Sequence, residues 1–295
     1  MPNWFVFALL SGLLMAVVNI LDKFVLDKWA RHPMVPVLLL GLFNLAPALG
    51  LLLVRGWPAL SLRQTLLILA AGGALLLMTL FYFSAAAREE ISRVVPLMFF
   101  SPLFVALMAW SLLGETFAPR QYAGVAALIA GAVLVSSRLP LNLRLSRAFW
   151  LMLLAALSLS VYLVMIKYLL RSFDAWTVFG WTRFSSTLLM LPLYVVYFPE
   201  LRDTLRDYGA KVVGVMALDQ SIALAANLFV TIAAAAGPIT LVNALISTQP
   251  FFVLLFALIL SRFVPQIFKE ETRRATVVQK LTALALMFAG VLLIT

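Results

Sequence analysis

One apolar stretch of the chain is interrupted by polar side chains at helical spacing. Asp219, Gln220, Ala223, Asn227, Thr231 and Ala234 fall on one face of a helix. Such a stripe bonds a neighbouring helix or walls a polar solute, because amides and carboxylates facing hydrocarbon are costly. Asn227 is its centre. Asp219 lies about two turns from the end of its apolar run, so it suits proton coupling, snorkelling or a pairing with lysine. Comparable groups stand in other apolar runs. Asn19 shares a face with Ser11, Met15 and Asp22; Asn44 is at mid-run; Asn243 precedes Ser247 and Gln249. Arg183, with Trp181 close by, is able to grip a carboxylate or phosphate through two parallel hydrogen bonds, or to pair with an acid. Tyr82, Phe83, Tyr162 and Phe229 offer aromatic walls, a role that competes with plain packing. The candidates for binding a solute are therefore Asn19, Asn44, Tyr82, Trp181, Arg183, Asn227 and Asn243, with Asp219, Pro102 and Pro250 for coupling or gating.

Other chemistries lack their residues. There is no cysteine, and the single histidine, His32, falls in a loop. No HExxH or GxSxG pattern and no phosphate-binding glycine loop occurs, so an enzyme, a cofactor, a metal and direct use of ATP are not expected. Glu89 and Glu90 beside Arg88 and Arg93 read as a solvated ion-pair cluster. The net charge of +10 does not indicate nucleic acid, because the basic residues are scattered between apolar runs. Lipid headgroups are their expected partner.

The elements that must position these groups are membrane helices. Of 295 residues, 64% are apolar and 12% charged, where a soluble chain carries about 25% charged residues. Ten apolar runs fall at about 4–21, 36–54, 64–87, 91–113, 121–136, 148–169, 176–198, 212–236, 239–260 and 277–294. Each must be helical, since lipid offers nothing to an unpaired backbone. The first run starts at Trp4 without preceding basic residues and is read as a span rather than a leader. Breaks such as Arg31-His32-Pro33 and Gly237-Pro238 divide the runs. Proline inside a helix removes a donor and crowds the preceding turn. Bends are therefore expected at Pro102 and Pro250 in the fourth and ninth helices.

The chain also repeats itself. Lys23-Phe24-Val25-Leu26 returns as Lys167-Tyr168-Leu169-Leu170, and Ser101-Pro102-Leu103-Phe104 as Gln249-Pro250-Phe251-Phe252. The organisation expected is one five-helix repeat over 1–137, a polar linker over 138–147 and a second repeat over 148–295. An odd number of spans per repeat inserts the copies in opposite directions, as in alternating-access transporters. Loops after the odd-numbered spans hold 16 Lys and Arg, and those after the even-numbered spans hold 5. The heavier side is expected to be cytoplasmic, which leaves both termini outside a bacterial inner membrane. The small-residue ladders Ala123-Ala127-Gly131 and Ala285-Ala289 suit close packing, including a homodimer contact.

Ile91-Ser92-Arg93-Val94-Val95-Pro96-Leu97, then Pro102, Leu112-Leu113-Gly114-Glu115, Gly124 and Gly131, together with Arg183-Phe184, resemble the EamA-type members of the drug/metabolite transporter superfamily. The resemblance implies ten helices about a pseudo-two-fold axis. It also implies a central cavity walled by helices 1–4 and 6–9, with helices 5 and 10 in support. Ser261-Arg262 departs from the Gly-Glu pair usual in the second half, and outward termini depart from the orientation commonly drawn. Relatives carry amino acids, cationic drugs, sugar-phosphates and lipid-linked sugars. The expected function is secondary transport, as an exporter of amino acids or amphipathic organic cations; the alternative is a flippase for a lipid-linked head group.

Overall fold

A computed structural model of the chain describes residues 3–30, 32–56, 60–88, 95–114, 118–136, 147–249, 252–253, 255–256 and 274–294. Among the described residues the α-helices are α1 (Asn3–Lys28), α2 (Met34–Arg55), α3 (Leu62–Ala86), α4 (Ser101–Met108), α5 (Pro119–Ser136), α6 (Arg147–Leu169), α7 (Ala175–Val196), α8 (Phe198–Ala236), α9 (Ile239–Ile246) and α10 (Arg274–Ile294). No strand occurs among the described residues. Among the described residues five helices, α1, α2, α3, α6 and α8, are long and apolar enough to cross a membrane. Arg147 opens α6, whereas the rest of the expected linker, Pro250, Glu89 and Glu90 lie outside the described residues.

Helix starts follow local chemistry. Ser61 caps α3 by accepting from the Gln64 amide at 3.3 Å, and Gln64 Oε1 accepts from the Ser61 amide at 2.9 Å. Asp174 caps α7 through the amides of Trp176 and Thr177 at 3.0 and 3.3 Å. His32 stacks on Tyr197 with ring centres 5.0 Å apart and accepts from the Met34 amide at 3.3 Å, a structural role for the lone histidine.

Two expectations change. The fourth segment is not one helix: Val95–Phe100 is wound as 3-10, α4 follows, and Ala109–Leu113 is a π turn. The winding switches at Ser101-Pro102, where proline in a first helical turn loses no internal bond. The eighth helix starts earlier than its apolar run. Its added arm is amphipathic, with Leu201 buried and Arg202 and Arg206 exposed. Leu205 and Tyr208 pack in the same apolar cluster as Leu201. Gly209, at φ 45° and ψ −126°, lets this arm break from the rest of α8.

The tightest packing is α1 on α8, α3 on α6, α5 on α10 and α2 on α7; α3 also meets α7, and α9 meets α1. The axes can be oriented from side-chain contacts. A Cβ on Gly237 would lie 2.6 Å from the Trp4 ring, while Trp29 meets Tyr208 at 6.4 Å, so α1 and α8 are antiparallel. Met152 shares a cluster with Val212 and Met216, and Tyr162 another with Val230 and Ala234, so α6 runs parallel to α8.

Glycine permits the closest approaches. A Cβ on Gly131 would meet Met287 Cγ at 2.6 Å and the Ala283 carbonyl at 2.8 Å, and one on Gly290 would meet the Gly124 carbonyl at 2.8 Å. Gly131 thus serves α10 of its own chain. Ala123, Ala285 and Ala289 lie off that seam and are exposed.

A central cavity lined by both halves

A cavity of about 200 Å³ lies among α1–α4 and α6–α9. That is small for a ligand pocket. No residue of α5 or α10 lines it; those two helices pack on each other. Periodicity explains the wall. On α1, Ser11, Met15, Val18, Asn19 and Asp22 recur every three or four residues and face inward. On α8, Asp219, Gln220, Ala223, Asn227 and Val230 do the same. Thr231 and Ala234, from the same expected stripe, do not reach the cavity; Thr231 Oγ1 donates to the Asn227 carbonyl at 3.0 Å.

Asn19, Asn44, Tyr82, Arg183, Asn227, Asn243 and Asp219 all line this space. Trp181 does not. Two positions from Arg183 on the same helix, its ring lies off the wall, edge-on to Phe184 with centres 6.0 Å apart. Pro102 is buried beside the cavity without lining it.

The amides are largely engaged with protein. Gln220 Nε2 donates to Asn44 Oδ1 at 2.9 Å, tying α8 to α2. Asn243 Nδ2 donates to Ser101 Oγ at 2.9 Å, Ser101 and Ser160 hydroxyls are 3.0 Å apart, and Ser160 donates to the Ala156 carbonyl at 2.7 Å. This network joins α9, α4 and α6. Asn227 Nδ2 donates to the Ala223 carbonyl of its own helix at 2.7 Å.

The charged groups are less satisfied. Asp219 is wholly buried, and neither of its oxygens has a hydrogen-bond partner among the described residues. Sequence reasoning left it the option of snorkelling. That option fails because the Asp219 side chain is wholly buried and faces the central cavity. Asp22 is 4% exposed and accepts one bond from Tyr82 at 3.2 Å; its other oxygen has no partner among the described residues. The two carboxylates come from different halves of the chain and lie within electrostatic range of each other. Asp22 was seen only as part of a polar face. The available signal was that it is, with Asp219, one of two acids deep in the helices that line the cavity.

Lys167, repeat-related to Lys23, is no wall residue. Its Nζ donates to the carbonyls of Ala234 and Gly237 at 2.8 and 2.7 Å, capping the C-terminal end of α8. The Lys23 side chain lies outside the described residues.

The model of the EamA-like transporter family matches residues 2–137, which contain α1 to α5. The first half of the chain belongs to the EamA-like transporter family. That family lies in the drug/metabolite transporter superfamily, and with the apolar helices the match points to an integral membrane protein of transporter type. No curated protein matches the sequence. Among solved structures, one described only as the crystal structure of a protein is 20% identical, with a TM-score of 0.72. The match covers 98% of this chain and 95% of that one, so the likeness of fold extends well beyond the EamA-like half.

Proposed function

We propose that the protein is a secondary transporter that exports small solutes bearing a positive charge, amino acids or amphipathic organic cations. It works by alternating access between two inverted five-helix repeats, 1–137 and 148–295, joined by the linker 138–147. The observation that carries this reading is the pair Asp22 and Asp219, one from each half, buried on one cavity wall without a cationic partner among the described residues. A cation between them offsets the cost of burying both carboxylates. Exchanging first-half for second-half helices turns the α1–α8 contact into α6–α3 and returns α2–α7 and α5–α10 to themselves. The opposite directions of α1 and α6 support the same symmetry. All ten helices span the bilayer in this reading, and the basic loops place both termini outside the inner membrane.

The test is uptake into proteoliposomes, across a panel of amino acids and organic cations, with and without a proton gradient. Wild-type protein should carry a cationic solute faster than protein-free vesicles. Asp219→Asn should abolish that transport, and Asn227→Ala should weaken it. Unchanged affinity and rate in both folded variants would remove the site from this cavity.

A further inference from the structure

The acid pair accounts for one end of the cavity and leaves Arg183 unexplained. Arg183 is 4% exposed, lines the cavity, and its Nε has no hydrogen-bond partner among the described residues. Its Nη2 donates to the Tyr162 hydroxyl at 3.4 Å, and the guanidinium lies 5.3 Å from the Phe179 ring centre and 5.9 Å from that of Tyr162. Aromatic faces hold a guanidinium without neutralising it. α7 and the packed helices α2, α3 and α6 contain no Asp or Glu. α8 brings Asp219, yet no ion pair joins Arg183 to Asp219 or Asp22 among the described residues.

The reason is level. Val230 shares the apolar cluster of Tyr162. Met152, ten residues before Tyr162 on the parallel helix α6, clusters with Val212 and Met216, so Tyr162 sits between about residues 222 and 230 of α8, roughly 5 to 16 Å of axial rise beyond Asp219. The cavity is thus bipolar: a guanidinium at one level and two carboxylates at another. Asn19 and Asn227 line the wall, as do Met15 and Met78.

We propose that the substrate class is an elongated zwitterion, with its carboxylate on Arg183 and a distal cationic group on Asp22 and Asp219. This deepens the transport reading and rests on it. A carboxylate gives the buried guanidinium the bidentate partner that the protein does not supply. An α-amino acid with a short side chain has its two charges separated by one carbon and reaches only one end. A chain of lysine length, extended, with a hydrogen bond at each end spans roughly 12 Å. That falls within this range of axial separation. The amides suit polar atoms along such a chain, and the methionines suit its methylenes.

Equilibrium binding to purified wild-type protein tests this with three probes. L-lysine has both end groups, cadaverine is the same chain without the carboxylate, and norleucine is the same chain without the distal ammonium. Lysine should bind about tenfold or more tightly than either, the scale expected for one charge-assisted pair. Arg183→Gln should abolish the preference for lysine over cadaverine. Equal binding of lysine and cadaverine by the wild type, or binding of none of the three, overturns the proposal without relying on the folding of any variant. Uptake of another organic cation that is lost in Asp219→Asn would then show that the transport reading survives while the zwitterion does not.

Discussion

Asp219 and Lys167 show how differently two buried charges are treated in one bundle. Asp219 has no hydrogen-bond partner among the described residues, so its carboxylate contributes nothing evident to folding. Asp219→Asn keeps the shape and removes a desolvation cost. Its thermal midpoint in detergent should equal or exceed that of the wild type while cation uptake is lost. A lower midpoint would mark Asp219 as structural. Lys167 is the opposite case, since its ammonium bonds two carbonyls where α8 ends. Lys167→Ala should destabilise the protein by about 1.5–3 kcal/mol, the range for hydrogen bonds from a charged group. Denaturant unfolding in micelles reads this directly, and a neutral result would show that water replaces the cap.

At the scale of elements, glycines set which helices touch. A Cβ on Gly72 of α3 would lie 2.3 Å from Ser185 Oγ and 2.6 Å from the Ser186 amide nitrogen, whereas one on Gly73 would meet only Leu189 Cδ1, at 3.5 Å. Ser185 already donates to the Ile68 carbonyl at 3.1 Å across this contact. Gly72→Ala must push α7 away and should cost about 1–3 kcal/mol. Gly73→Ala should be neutral or slightly stabilising through helix propensity. Thermal unfolding of the two variants side by side checks the contact. Gly209 acts through conformation instead, because its positive φ turns the amphipathic arm away from the rest of α8. Gly209→Ala should cost about 1–3 kcal/mol in backbone strain, although a Cβ there would meet nothing within 4 Å. A stability equal to the wild type would mean the arm reorients freely.

For the whole molecule, the decisive property is sidedness. The chain has no cysteine, so single cysteines can be introduced without altering a background. Ser172 follows α6, and Arg206 lies on the arm of α8, at the opposite end of the bundle from Trp4 and Gly237. With the basic loops inside, Ser172→Cys should react with a membrane-impermeant maleimide on intact cells, and Arg206→Cys should react only after lysis. The reverse pattern would overrule the charge bias.

The all-helical character, the apolar runs behind the five long helices and the polar face of α8 were legible in the sequence, because hydrocarbon allows only helices and penalises every exposed polar group. The family was legible too, since glycines and prolines at set positions follow from close packing and broken winding. Three features were decided only by the tertiary structure. The arm Phe198–Tyr208 was missed because its stripe is too short and too charged to resemble a span; it becomes a helix by packing Leu201, Leu205 and Tyr208 into a shared cluster. Trp181 was placed on the wall by proximity to Arg183, whereas neighbours two residues apart point to different sides of a helix. The meeting of Asp22 and Asp219 joins residues 197 positions apart. Local periodicity shows that each points to one face of its helix; only the antiparallel packing of α1 on α8 brings the two faces to the same level.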